Sequence, residues 1–241
     1  MNNKTIEQFP NIGFSTGAIR KHHNTKSALN LFRESGFKTA EVSFDMREGR
    51  AGWLDEISEE DLAGFHHVSM HAPKFTYKSD DATRALFARI EHFNRMRKLD
   101  VVVFHPDMIE DFNIFRKVQF KVGIENMDNR KERYQRPEEL QEILSEHPDI
   151  GFILDVNHIY TNDPSMALAD GFYDILGDRI VEVQLSGYKT LHDPLFETKQ
   201  EEIIRAIRDP KGPMIVEAGG IRPDDLVKEI EYIASILHNV V

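Results

Sequence analysis

Seven residues of the kinds that bind metals or move protons stand at the ends of short apolar runs in this chain. His71 closes Val-Ser-Met-His and is followed by Ala72 and Pro73. His105 closes Val-Val-Val-Phe-His, with Pro106 and Asp107 after it. Glu125 closes Val-Gly-Ile-Glu before Asn126, and Asp155 closes Phe-Ile-Leu-Asp with His158 just downstream. Gln184 lies in Val-Glu-Val-Gln-Leu, and Glu217 closes Met-Ile-Val-Glu before Ala218, Gly219 and Gly220. Carboxylates gathered in one place repel one another and are costly to desolvate; a divalent cation relieves both problems. Glu125, Asp155, Gln184 and Glu217 would give an all-oxygen shell suited to Mg²⁺ or Mn²⁺. Adding His71, His105 or His158 shifts the preference toward Zn²⁺, Co²⁺ or Fe²⁺, and the residue types leave both open. Each has a plainer reading too: a strand-end His is more often simply hydrogen-bonded, and Gln184 could serve only to bond a neighbouring acid.

These residues need a scaffold that brings strand ends together. β-Branched and apolar runs at 11–15, 39–44, 68–71, 101–105, 121–125, 151–155, 180–185 and 214–217 alternate with amphipathic stretches. Ser58 with Asp61 resembles a capping box. Pro137, Pro164 and Pro223 stand where first helical positions are expected. Leu226, Ile230, Ile233 and Leu237 recur at helical spacing, as do Ala82, Leu86, Ile90 and Phe93. The helix expected after the fourth strand, near residues 108–117, has the weakest signal. Alternating strands and helices imply parallel strands with right-handed crossovers. An open doubly wound sheet would carry a Gly-rich turn after its first strand; here that turn reads Ser15-Thr16-Gly17-Ala18. The expected fold is α/β, a single (β/α)8 TIM barrel of eight parallel strands with outer helices, one domain over residues 1–241. Such a barrel places its active site at the strand C-termini. Alternation supports the geometry: Gly123 with Glu125, Ile153 with Asp155 and Ile215 with Glu217 share a face. Glu182, one layer deeper than Gln184, reads as half of a structural ion pair, with Lys121 as partner.

Composition sets the remaining bounds. The chain has 241 residues and no cysteine, which excludes disulfides, zinc–thiolate sites and thiol nucleophiles. The first ten residues hold no apolar leader and no run is long enough to span a bilayer, so a cytoplasmic protein without a membrane partner is expected. A net charge of −11 argues against non-specific binding of nucleic acid.

The ordered segments VSMHAP, VVVFHPD, VGIEN, FILDVNH, VEVQLSGY…HDP and MIVEAGG resemble the xylose isomerase-like TIM-barrel superfamily, which includes sugar phosphate isomerases and epimerases and the endonuclease IV-like AP endonuclease family 2. The resemblance runs from Gly13 to Gly220. Its isomerase and epimerase branch implies one metal (Mn²⁺, Mg²⁺ or Co²⁺) held at Glu125, Asp155, Gln184 and Glu217. Glu125 and Glu217 would be the catalytic acid and base, moving a proton through a metal-stabilised enediolate of a small sugar, sugar phosphate or hydroxy-keto acid. His158, His192, Lys189 and Lys74 would contact an anionic or polyhydroxylated substrate. The endonuclease IV branch implies several zinc ions. This chain matches it at His71, His105, Glu125, Asp155, His158, His192 and Glu217, and departs at Gln184 and Thr190, where that branch has His and Asp. A non-catalytic sugar-binding barrel is a third reading, and an oligomer is compatible with each. Loop charge favours the first. Basic residues such as Lys74, Lys78 and Arg130 offset the acidic stretch from Asp45 to Glu56, and leave no continuous basic stripe for a duplex.

Overall fold

The computed structural model describes residues 4–44 and 53–238; the acidic stretch from Asp45 to Glu56 lies mostly outside them. Eight strands form: β1 Ile12–Ser15, β2 Thr39–Ser43, β3 His67–His71, β4 Val101–Phe104, β5 Val122–Glu125, β6 Ile150–Asp155, β7 Ile180–Leu185 and β8 Met214–Val216. They pair in parallel in chain order, and β1 pairs with β8 to close the barrel. The eight strands expected from the sequence are therefore the eight observed. His105 and Glu217 fall one residue past their strands, where the backbone turns into the loops.

The helices outside follow local signals. Pro137 opens the helix Pro137–Glu146, and Pro223 opens the turn leading into Leu226–Leu237. That last helix buries Leu226, Ile230, Ile233 and Leu237 as its spacing required. Asp61 accepts hydrogen bonds from the Ser58 backbone N–H at 2.8 Å and its hydroxyl at 2.7 Å, on a helix of only four residues, Glu59–Leu62.

Four expectations are corrected. Pro164 lies between the helices Val156–Asn162 and Ala167–Leu176 and opens neither; the second helix has Met166 as its N-cap residue, and Asp163 accepts the Leu168 N–H at 2.8 Å. Ala82 is exposed on the helix Asp81–Met96, whose buried face is Thr83, Leu86, Phe87, Ile90 and Phe93. After β4 the chain forms two short 3₁₀ turns, Pro106–Met108 and Phe112–Lys117, in place of an α-helix. There the Asp111 side chain takes the Asn113 N–H at 2.9 Å, a local bond that competes with α-helical pairing. Finally, Glu182 pairs with His67 at 2.6 Å, not with Lys121.

The main core lies between barrel and helices, with Phe104 against Tyr77, Phe87, Phe115 and Phe120. Inside the barrel, Val101, Val103 and Ile153 form a separate apolar cluster. A Cβ on Gly123 would lie 2.8 Å from both Ile153 Cδ1 and Val101 Cγ2, so any larger residue there would force that cluster to shift. Most of the other interior side chains are polar: Glu41, Ser69, Glu182 and Gln184 are all buried, alongside Ile215, where barrels usually carry branched apolar side chains. Among the described residues, no helix is long and apolar enough to cross a membrane.

Candidate metal centre

Glu125, the last residue of β5, is the hub. It is 1 % exposed, and both carboxylate oxygens are buried without a conventional hydrogen bond. His105 Nε2 stands 2.9 Å from its Oε1 and His71 Nε2 3.9 Å from the same atom. The two imidazoles meet edge to face at 5.0 Å. His71 directs Nδ1 to the Ala72 carbonyl at 3.0 Å, so in the neutral ring Nε2 is the nitrogen that faces the carboxylate with its lone pair. Beyond His105, its Nδ1 faces Asp107 Oδ1 at 3.8 Å.

The β6 end completes a second group that shares Glu125. Asp155 caps the helix Val156–Asn162 by accepting the His158 N–H at 3.0 Å. His158 donates Nδ1–H to the Asn126 carbonyl at 2.8 Å, freeing Nε2. Asn126 locks β5 to β6: its side chain donates to the Asp155 carbonyl and accepts the Asp155 N–H, each at 2.9 Å. The ligand atoms of His71, His105 and Glu125 lie within 4.8 Å of one another, and so do those of Glu125, Asp155 and His158.

The remaining residues are placed differently. Gln184 is Asp155's register partner across the β6–β7 ladder; its Nε2 donates to Glu41 at 3.0 Å, while its buried Oε1 has no partner. Glu217, half-buried just past β8, stands outside both tight groups but interacts electrostatically with Asp155, Glu41 and His192. His192 bonds Ser186 at 2.9 Å and lies 5.7 Å, ring to ring, from His158. Lys74 is exposed yet close enough to His105 to disfavour its protonation. Lys189 is exposed, and its ammonium meets no site residue among those described. Asp193 does not replace the acid missing at Thr190, because its carboxylate accepts the N–H groups of Lys189, Thr190 and Leu191.

Electrostatics favours a cation here. Burial, with Glu217 and Glu125 nearby, pushes Asp155 up to about 7 against the pull of His158. Although burial opposes ionisation, the His105 contact holds Glu125 well below the usual carboxylate range. Burial pushes His105 down and His192 down to about 4, which favours the neutral, ligating ring in each, whereas Asp155 and Glu125 raise His158 against its burial. Crowded acids beside imidazoles and orphaned oxygens are a donor set that a divalent cation satisfies.

Sequence reasoning missed three residues here. Glu41 is buried inside the barrel, His67 partners Glu182 at its floor, and Asp128, 2 % exposed, lies 3.9 Å from His158 Nε2. Parity on β2 and β3 was the available signal for the first two; Asp128 follows Glu125 too irregularly to be read.

Fold and site together define a (β/α)8 barrel with a strand-end cluster of metal-ligand type. Residues 109–236 match the family model described as xylose isomerase-like TIM barrel, and the chain belongs to that family. Among solved structures it is similar to endonuclease IV from Thermus thermophilus, with a TM-score of 0.69 at 15% identity over 95% of this chain and 99% of that one. It is also similar to D-psicose 3-epimerase, with a TM-score of 0.60 at 14% identity over 95% and 97%. A third, 3-keto-D-glucoside 4-epimerase from E. coli, has a TM-score of 0.58 at 14% identity over 95% and 99%. At these identities the likeness is one of fold. No curated protein sequence matches the chain.

Proposed function

We propose that this chain is a divalent-metal-dependent isomerase or epimerase of a small sugar, sugar phosphate or hydroxy-keto acid. The observation that carries the reading is the buried Gln184 Oε1, which has no hydrogen-bond partner, beside Asp155 and the buried Glu125, whose carboxylate meets the His105 ring. Glu125, Asp155, Gln184 and Glu217 would hold one Mn²⁺, Mg²⁺ or Co²⁺. Such an ion supplies Lewis-acid charge beside a substrate's carbonyl and hydroxyl oxygens and so acidifies the adjacent C–H. Glu217 and Glu125 are assigned the proton transfer, one removing the carbon-bound proton and the other returning it at the neighbouring carbon or the opposite face. His158, His192, Lys189 and Lys74 are assigned to substrate oxygens or phosphate. The epimerase structures similar to this chain lend the reading support.

A deuterium wash-in experiment tests it. With Mn²⁺ present, the accepted substrate should take deuterium from D₂O at the carbon next to its carbonyl, and Glu217→Gln should stop this. No incorporation across a panel of sugars, sugar phosphates and hydroxy acids would overturn the assignment.

One observation favours a second reading. Glu125 belongs to both ligand groups, as a carboxylate bridging two ions would. On that reading His71 and His105 join the ligands, the ions are zinc, and the substrate is a phosphodiester. Incision of an abasic-site duplex, abolished by His105→Ala, would establish it.

A further inference from the structure

We infer that Glu41 is a positioning residue that orients the Gln184 amide and so sets the metal affinity of the centre; the inference rests on the metal-binding reading above. Glu41 lies on β2, between Ser15 of β1 and Ser69 of β3 in register, and is fully buried. No cation pairs with it among the described residues, and its Oε1 has no hydrogen-bond partner. A buried carboxylate so placed costs stability, and apolar side chains of similar volume usually serve a core better. The opposite side of this interior is built that way, from Val101, Val103 and Ile153.

What the carboxylate does is receive Gln184 Nε2 at 3.0 Å. That bond engages the amide through its NH₂ and leaves Oε1 without a partner. Gln184 stands beside Asp155 in the ladder, and its Oε1 is buried with no partner. An amide with no such neighbour can present NH₂ to a cation in place of its oxygen. Glu41 removes that competing orientation, a role equivalent to the outer groups that orient ligating histidines.

A mutant cycle read by Mn²⁺ titration calorimetry tests this, with electron paramagnetic resonance of the bound Mn²⁺ reporting its ligand field. Glu41→Gln is expected to weaken Mn²⁺ binding roughly 10–100-fold. In a Gln184→Ala background the same change should alter it by no more than about twofold. An equal loss in both backgrounds, or no loss in either, overturns the role of Glu41. If Glu41→Gln does not fold, Glu41→Asp, which draws the acceptor back by one methylene, carries the same cycle. A native protein that binds no divalent metal overturns the metal reading itself, whereas one that binds metal yet ignores Glu41→Gln overturns only this inference.

Discussion

His71 Nε2 faces Glu125 Oε1 at 3.9 Å while its Nδ1 is engaged by the Ala72 carbonyl at 3.0 Å. In the neutral tautomer that this Nδ1 contact favours, a bare ring nitrogen and a buried carboxylate oxygen confront each other as two acceptors, an arrangement relieved when a cation lies between them. Mn²⁺ at about 100 times its Kd is expected to stabilise the fold by about 2.7 kcal/mol. The gain would appear as a rise in thermal midpoint that EDTA reverses and Glu125→Gln abolishes. A midpoint indifferent to both metal and chelator would contradict the account.

Asn126 joins Asp155 by two buried hydrogen bonds to its backbone. Asn126→Ala leaves a buried N–H and C=O without partners, at about 1–3 kcal/mol for each group. Urea denaturation should show the loss, and Mn²⁺ affinity should fall with it, because Asp155 would no longer be held against β5.

Gly123→Ala is expected to destabilise by about 1–3 kcal/mol through overpacking, since the new methyl would meet Ile153 Cδ1 and Val101 Cγ2 at 2.8 Å. Ile153→Val removes one of those atoms and should restore part of the loss. Absence of any rescue would mean that the strain lies elsewhere.

Glu229, on the last helix, receives the N–H groups of Leu195 and Phe196 at 2.8 and 2.9 Å. Burial nevertheless pushes it from 4.5 up to about 7. The folded protein thus holds this proton more tightly than the unfolded chain does. Its contribution is fully present below pH 4.5 and is lost as pH rises through about 7, a difference of about 3 kcal/mol. Stability measured from pH 5 to 8 should fall less steeply in Glu229→Gln than in the native protein; parallel curves would refute the assignment.

Much of this centre was legible because strand ends and chemistry coincide. Glu125, Asp155 and Gln184 end or nearly end strands whose inward parity is set by Gly123, Ile153 and Glu182. Glu41 was missed, despite its parity, for a physical reason. Thr39-Ala40-Glu41-Val42-Ser43 alternates polar and apolar residues, which ordinarily marks a strand with its polar face in water. In this barrel that polar face points inward, opposite Gln184. His67 was missed because its partner Glu182 is 115 positions away and only barrel closure brings them together. The loop carrying Lys189 and His192 was the least legible, its shape being set by Asp193 bonding three successive N–H groups.

The metal content of the purified protein, counted per chain by plasma mass spectrometry, bears most directly on the central claim. One Mn²⁺, Mg²⁺ or Co²⁺ per chain, lost in Asp155→Ala and retained in His71→Ala, is the expected result. Two or three zinc ions per chain, reduced in number by His71→Ala, would contradict it and identify Glu125 as a bridging ligand.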